Sequence, residues 1–321
     1  MSGIPAVGVV GAGHIGRLHV EKLALLANEG AVRIAGIIDP DADRAREVGK
    51  RYGAPVLDGL DRLAREADAV IVAAPTTLHA SIGGALLRAN VDVLLEKPIA
   101  TTREEARELI EIARKRERVL QVGHVERFSS AFRSLLPTLN RPRFIEVHRM
   151  GPYPGRATDV GVVLDLMIHD LDLILRLAGA EPQSVEGVGV AVLSATEDIA
   201  NARVRFANGC IANLTSSRVS LEPLRRIRFF QADAYVSIDF STGDVAVVRR
   251  VGIPGGDPPP KIYAEKLSLE TGDSLLAQDR SFVDAVRERG TPEVTGEDGY
   301  RALDLALRIQ ESLPPLEELM G

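Results

Sequence analysis

Apolar residues run through 6–10 (Ala-Val-Gly-Val-Val) and stop at Gly11, after which Ile15, Leu18, Leu23, Leu25 and Leu26 recur at roughly helical intervals. A short apolar run predicts a buried strand, and the change of period predicts a helix entered through a glycine turn. A second run at 32–38 closes on Asp39-Pro40 and is followed by an Ala- and Arg-rich helical stretch at 41–52. The alternation continues with strands at 69–73, 91–95 and 119–123 and helices at 78–89 and 102–116. Strands that alternate with helices predict an α/β, doubly wound parallel sheet of the Rossmann kind.

Beyond residue 123 the texture changes. One strongly apolar helix spans 163–177, and strand patterns cover 143–150, 185–193, 200–207, 210–217, 225–230, 235–240 and 245–249. Asn208-Gly209 is a two-residue hairpin signal and Thr242-Gly243 marks another turn, so this sheet is expected to be large and mostly antiparallel. Residues 254–260 (PGGDPPP) hold four prolines and two glycines and predict a loop. Helical patterns return at 279–289 and 297–313. The expected organisation is a dinucleotide-binding domain over 1–123 and an α+β domain for substrate binding and oligomerisation over 124–321, with the C-terminal helix packing back on the first domain.

The length of 321 residues suits two domains at about 150 residues each. With 45% hydrophobic and 26% charged residues, the chain is neither disordered nor fibrous. Its net charge of −6 gives no basic field for a nucleic acid. The single cysteine, Cys210, excludes an internal disulfide and a multi-thiolate zinc site, and reads as a small buried apolar side chain in a reducing compartment. The opening MSGIPAVGVVGAG moves into a strand without a basic leader, and no apolar run nears the roughly 20 residues that cross a bilayer, so a cytoplasmic protein is expected. Arg203 and Arg205 alternate with Val204 and Phe206, giving one polar sheet face that is either solvated or a subunit interface.

Gly11-Ala12-Gly13-His14-Ile15-Gly16 is a G-x-G-x-x-G between a strand and a helix. The first glycine permits the turn, the second lets backbone approach a pyrophosphate, and the third allows close helix packing. Asp39 follows 23 residues after Gly16, at the end of the second strand, where a carboxylate accepts from ribose hydroxyls. The same charge repels a 2′-phosphate and favours NAD, while nearby Arg44 leaves NADP as the lesser alternative. Pro75, Thr76, Thr77 and His79 open a helix at the carboxyl edge of the sheet, where ligands bind in such folds; a threonine there serves equally as a helix cap. Glu96-Lys97-Pro98 ends the next strand at the same edge. Asp165 and His169 lie four residues apart on one helix face, where the carboxylate can orient the imidazole or join it in binding hydroxyls. A metal at this pair lacks a third ligand at suitable spacing, so none is expected.

Together the glycine loop, Pro75 with His79, Glu96-Lys97-Pro98, Gly123 with Arg127-Phe128, and Asp165-x-x-x-His169-x-x-Asp172 resemble the glucose-fructose oxidoreductase and inositol dehydrogenase (Gfo/Idh/MocA) family over nearly the whole chain. The resemblance implies that Lys97 lies near the nicotinamide and substrate, that Glu96 meets the cofactor ribose, and that Pro98 shapes the turn, often through a cis bond. It also implies a substrate-side pair of Asp165 and His169, with the histidine as general acid/base. His14, Ile15, Pro75, Thr76 and His79 complete the cofactor set. Asp172 matches the motif but suits helix packing, and Asp170 reads as peripheral.

Only Gly161 remains of the glycine cluster that many members carry before the aspartate. This variant, with Val122-Gly123-His124-Val125-Glu126-Arg127-Phe128, resembles the branch that oxidises C3 of UDP-N-acetylglucosamine or a related nucleotide sugar. Arg127, Arg149, Tyr153 and Arg156 then become candidates for the diphosphate and for ring stacking, each with an ordinary surface or interface role as its rival. The expected function is NAD-dependent oxidation of a sugar hydroxyl to a ketone. A dehydrogenase of a free polyol and a non-catalytic dinucleotide sensor are the alternatives. A homodimer or homotetramer through the second sheet, and a downstream aminotransferase that consumes the keto product, are the expected partners.

Overall fold

The computed structural model describes residues 3–153, 160–268 and 272–314. The chain divides into two compact units, 1–128 with 273–303 and 129–272 with 304–321. The sequence-derived boundary after 123 thus differs from the observed one, which lies after Phe128 and returns 273–303 to the first unit.

In the first unit the elements are β1 (Ala6–Val10), α1 (His14–Asn28), β2 (Arg33–Ile38), α2 (Ala42–Tyr52), α3 (Leu60–Glu66), β3 (Ala69–Val72), α4 (His79–Arg88), β4 (Asp92–Glu96), α5 (Arg103–Arg116) and β5 (Leu120–Gly123). The five strands pair in parallel in the order β2-β1-β3-β4-β5. Strands β1 and β3 are buried at every position, as their unbroken apolar runs require of a sheet covered on both faces. The order reverses between β1 and β3, which opens a crevice at the carboxyl ends of these strands, beside the glycine loop.

The second unit contributes α6 (Ser130–Leu135), β6 (Phe144–Met150), a π-helical turn at Val163–Met167, α7 (Ile168–Ala178), and β7 (Pro182–Val190) through β8 (Ile199–Phe206), β9 (Ile211–Ser217), β10 (Leu224–Phe230), β11 (Ala234–Asp239), β12 (Asp244–Val251) and β13 (Lys261–Ser268). Its eight strands follow the order β13-β12-β11-β10-β6-β9-β8-β7, antiparallel except for the β6–β9 pair. Burial alternates along β6, β8, β9 and β11, so one face of this sheet is buried and the other open. On the open face, partly exposed Phe144, Phe230 and Tyr235 stack in register with centroids 5.7 and 4.9 Å apart.

Beyond the second sheet the described residues form α8 (Ser274–Glu288) and α9 (Gly296–Ser312). Phe282, Val283 and Val286 of α8 enter the core formed by Val20, Leu23 and Leu26 of α1 with β1 and β3. The following segment bridges β5 at Gln121–Thr295, so the edge strand is covered. Among the described residues no helix is long and apolar enough to cross a membrane.

Candidate active site

In the first unit, the carboxyl edge of the sheet is built from glycines with distinct reasons. Gly11 has φ +91°, and a Cβ there would lie 2.6 Å from the Ala73 carbonyl oxygen. A Cβ on Gly16 would overlap the Gly11 carbonyl, so α1 crosses the loop only with glycine at that point. Gly13 differs: a Cβ would meet nothing within 4 Å. Its bareness answers no packing demand within the protein. The N-terminus of α1 has neither a side-chain cap nor an acidic residue in its first turn, so its N–H groups and dipole remain available to an anion. This open cradle fits the pyrophosphate of a dinucleotide.

Asp39 ends β2 beside the loop. Its Oδ2 accepts from the Ala12 N–H at 2.6 Å and its Oδ1 from the Asp41 N–H at 2.8 Å, with Arg44 Nη1 3.6 Å away. The cap of α2 is Asp41. Asp39 is thus held at the loop by backbone donors.

The segment after β3 is a short turn at Thr76–Leu78, and neither Thr76 nor Thr77 caps α4. His79 requires a correction. Its ring is buried, with Nδ1 2.8 Å from the Pro98 carbonyl oxygen and Nε2 2.9 Å from that of Ala74. The side chain joins two turns of the site and has no face left for the cofactor.

Glu96 ends β4, and Lys97 follows it, before a cis Lys97–Pro98 bond. Glu96 Oε1 lies 3.0 Å from His19 Nε2, and its Oε2 accepts from the Lys97 N–H at 3.3 Å. A second carboxylate, Asp279, takes His19 Nδ1 at 2.9 and 3.0 Å, and neither residue belongs to the motifs legible in the sequence. Burial opposes a charge on His19, but Asp279 and Glu96 outweigh it and push its pKa up to about 10. Burial pushes Glu96 upward, but the His19 bond and the Lys97 charge hold it below the usual carboxylate range. The missed signal is a polar residue on a core stripe: His19 stands among Gly16, Val20, Leu23 and Leu26, the buried positions of α1.

Arg127 is also turned inward. Its Nη2 lies 3.3 Å from Asp298, a carboxylate that burial raises but the Arg127 charge and the Thr295 N–H hold low. Within its own unit this arginine is engaged by an acid before any diphosphate.

In the second unit, the stretch 163–175 is buried except at Leu164, Asp165, Leu166 and His169. The accessible strip of an otherwise enclosed element therefore carries both expected polar groups. The π-helical turn holds Asp165, and such turns recur at functional sites. Its start is fixed by buried polar groups. Glu197 bonds the Val163 N–H through Oε1 and the Val162 N–H through its backbone carbonyl, and a Cβ on Gly161 would overlap the Glu197 carboxylate. The neighbouring Asp198 accepts three backbone N–H groups, from Val192, Leu193 and Ser194, and a 2.7 Å bond from buried Arg218, whose Nη1 also donates to the Val160 carbonyl. Gly161 is retained because the anchor occupies its side-chain space.

Two further expectations change here. Arg149, a diphosphate candidate, is buried and makes a bidentate pair at 2.8 Å with Asp170, tying β6 to α7. Asp170 is accordingly a buried anchor, although the sequence made it peripheral. Tyr153 is partly exposed just beyond β6, and Arg156 lies outside the described residues.

The family model for the oxidoreductase family with NAD-binding Rossmann fold (GFO/IDH/MocA) matches residues 6–124, and the model for the GFO/IDH/MocA C-terminal domain matches 122–236. UDP-N-acetylglucosamine 3-dehydrogenase of Acidithiobacillus ferrooxidans is 37% identical over 94% of this chain and 95% of its own. A solved structure of that enzyme superposes with a TM-score of 0.90 at 36% identity, covering 99% of both chains. Myo-inositol 2-dehydrogenase of Thermotoga maritima is 26% identical over 98% of this chain and 99% of its own. By sequence, fold and the placement of its glycine loop, the chain is a member of the Gfo/Idh/MocA oxidoreductase family.

Proposed function

We propose that the protein oxidises a secondary hydroxyl of a sugar to a ketone with NAD, and that its substrate is a nucleotide sugar such as UDP-N-acetylglucosamine, oxidised at C3. The observation that carries the reading is the accessible strip of Asp165 and His169 on a helix otherwise buried. When bound, the nicotinamide supplies the hydride acceptor. His169 takes the hydroxyl proton, Asp165 orients or assists the imidazole, and Lys97 stabilises the oxygen as its negative charge develops. The products are a ketone, a reduced cofactor and one proton, so the reaction balances without further reagents. Gly11, Gly13, His14, Ile15 and Gly16 hold the pyrophosphate, while Asp39 and Glu96 meet the riboses. Asp39 at the loop favours NAD over its 2′-phosphorylated form.

With Arg149 committed to Asp170 and Arg127 to Asp298, the diphosphate contacts assigned to this chain contract to Tyr153 and Arg156. That contraction supports the second reading, a dehydrogenase of a free polyol. The test is NADH formation with UDP-N-acetylglucosamine, free N-acetylglucosamine and myo-inositol in parallel, with an aminotransferase and amino donor present to draw off a keto product. Turnover confined to the nucleotide sugar is expected. Turnover with a free polyol transfers the protein to the second reading, and tight NAD binding with no turnover on a broad sugar panel makes it a dinucleotide sensor.

We also infer a cytoplasmic homodimer or homotetramer assembled through the open sheet face, where Phe144, Phe230 and Tyr235 form an aromatic row. Light scattering of the purified protein reads the assembly, and Phe230→Glu is expected to lower its mass.

A further inference from the structure

The buried pair of Asp279 and His19 has no part in the reaction as written, yet it ends on Glu96, the residue before Lys97. His19 is wholly buried on α1, with Asp279 of α8 at one ring nitrogen and Glu96 of β4 at the other. A neutral imidazole has one N–H and one lone pair, so a ring flanked by carboxylates at both nitrogens is satisfied only with a proton on each. The other charges around it are Lys97 beside Glu96, and Asp273 at the start of α8, which acts on Asp279 and is itself paired with Lys22 at 3.0 Å.

Glu96 in turn has little freedom. One oxygen meets His19, the other accepts the Lys97 N–H, and a Cβ on Gly123 would lie 2.5 Å from Oε1. Stability alone does not call for these charges. A buried ionic triad replaced by well-packed apolar groups commonly leaves a fold as stable or more so, and an apolar residue at 19 would continue the stripe of Val20 and Leu23.

We propose that His19 is a positioning residue: held by Asp279, it fixes Glu96 as a carboxylate aimed at the Lys97 backbone, and so sets the cofactor-side geometry of the turn that carries Lys97. This rests on the reading that Glu96 and Lys97 serve the nicotinamide cofactor. It predicts that His19 cannot be replaced by a neutral group without making that site sensitive to pH.

The test uses the full-length protein with the His ring nitrogens labelled with 15N, and calorimetric binding of NADH between pH 6 and 9. In the wild type, one histidine signal, assigned by its loss in His19→Asn, is expected to stay doubly protonated throughout, and NADH affinity to vary little. In His19→Asn two carboxylates share a site without their cation, so one takes up a proton. NADH affinity is then expected to fall tenfold or more toward the acidic end, with a new ionisation that disappears in His19→Asn/Glu96→Gln. If His19→Asn does not fold, Asp279→Asn keeps the His19–Glu96 bond but removes the carboxylate that holds the ring charged, so the His19 pKa falls and NADH affinity is expected to drop toward the alkaline end instead. A wild-type His19 that titrates near pH 6.5 overturns the proposal, as does a folded variant whose NADH profile superimposes on that of the wild type. A wild type that binds no NADH overturns the cofactor reading itself, and is recognised because the His19 signal is unaffected by it.

Discussion

The proposed preference for NAD turns on one residue, Asp39. Its carboxylate is held against the glycine loop by the Ala12 and Asp41 N–H groups, with Arg44 3.6 Å away. Asn in its place keeps a carbonyl acceptor but loses the charge. A charge-assisted hydrogen bond contributes about 1.5–3 kcal/mol, so Asp39→Asn is expected to weaken NAD binding by roughly ten- to a hundredfold while NADP binding improves, with Arg44 freed toward a phosphate. Calorimetry with both cofactors reads the crossover, and unchanged discrimination removes Asp39 from selectivity. Lys97→Met is the complementary change. It keeps the length and apolar stem but not the cation, so NAD affinity is expected to persist while kcat falls by roughly 100-fold or more, as for loss of one oxyanion donor. Wild-type turnover in a rate limited by chemistry would remove Lys97 from the mechanism. At this scale the glycines, Asp39 and Lys97 are legible in the sequence because backbone geometry and strand ends restrict what can stand there. His19, Arg149 and Asp170 are not, because their meaning lies in partners 260, 21 and 21 residues away.

The elements are legible where one period runs long enough. The parallel strands, the long helices and the alternating strands of the second sheet all follow the hydrophobic pattern. The chain also contains α3, α6 and β13, which that pattern does not announce: α3 and α6 have seven and six residues, and β13 follows a proline-rich loop and is largely exposed, with Ile262 and Tyr263 open to solvent. The π-helical start of the 163–177 stretch is equally hidden, because a single wider turn leaves the apolar pattern intact. Its cause is local and testable. Glu197 occupies the space a side chain at 161 would need and holds the first N–H groups of the turn. Gly161→Ala is therefore expected to displace Glu197, shift Asp165, and lower kcat about tenfold with NAD affinity unchanged. Glu197→Ala in the same chain relieves the overlap and is expected to recover part of the loss. Additive losses in this double-mutant cycle would mean that the glycine and the glutamate act separately.

Over the whole molecule, the paired ionic groups impose a pH dependence on stability whose two limbs have opposite origins. Asp198, Asp273 and Asp298 lie below their ordinary value of 3.8, each because bonds to N–H groups and cations outweigh burial. Groups lowered in the folded state contribute stability above about pH 4 and lose it as pH falls through their folded values. His19 is raised from 6.5 to about 10, so its contribution is complete below 6.5 and is lost as pH rises toward 10. Asp279, pushed up by burial against the pull of His19, also loses stability with rising pH, beginning from 3.8, and so blunts the acid limb. The melting temperature should therefore be highest between about pH 5 and 6.5, fall on the acid side as three separated pairs are broken, and decline steadily on the alkaline side. Between pH 6.5 and 9 the main contribution to the decline is that of His19, and above pH 9 the buried Cys210 thiol, pushed up from 9.0 to about 11, adds to it. In His19→Asn the curve should start lower near neutrality and run flatter from pH 7 to 10, while its acid limb becomes shallower, because Glu96 is no longer held low by His19. An alkaline decline that persists unchanged in the variant would place its origin in other groups, and would mean that the His19 ring carries no charge linked to folding.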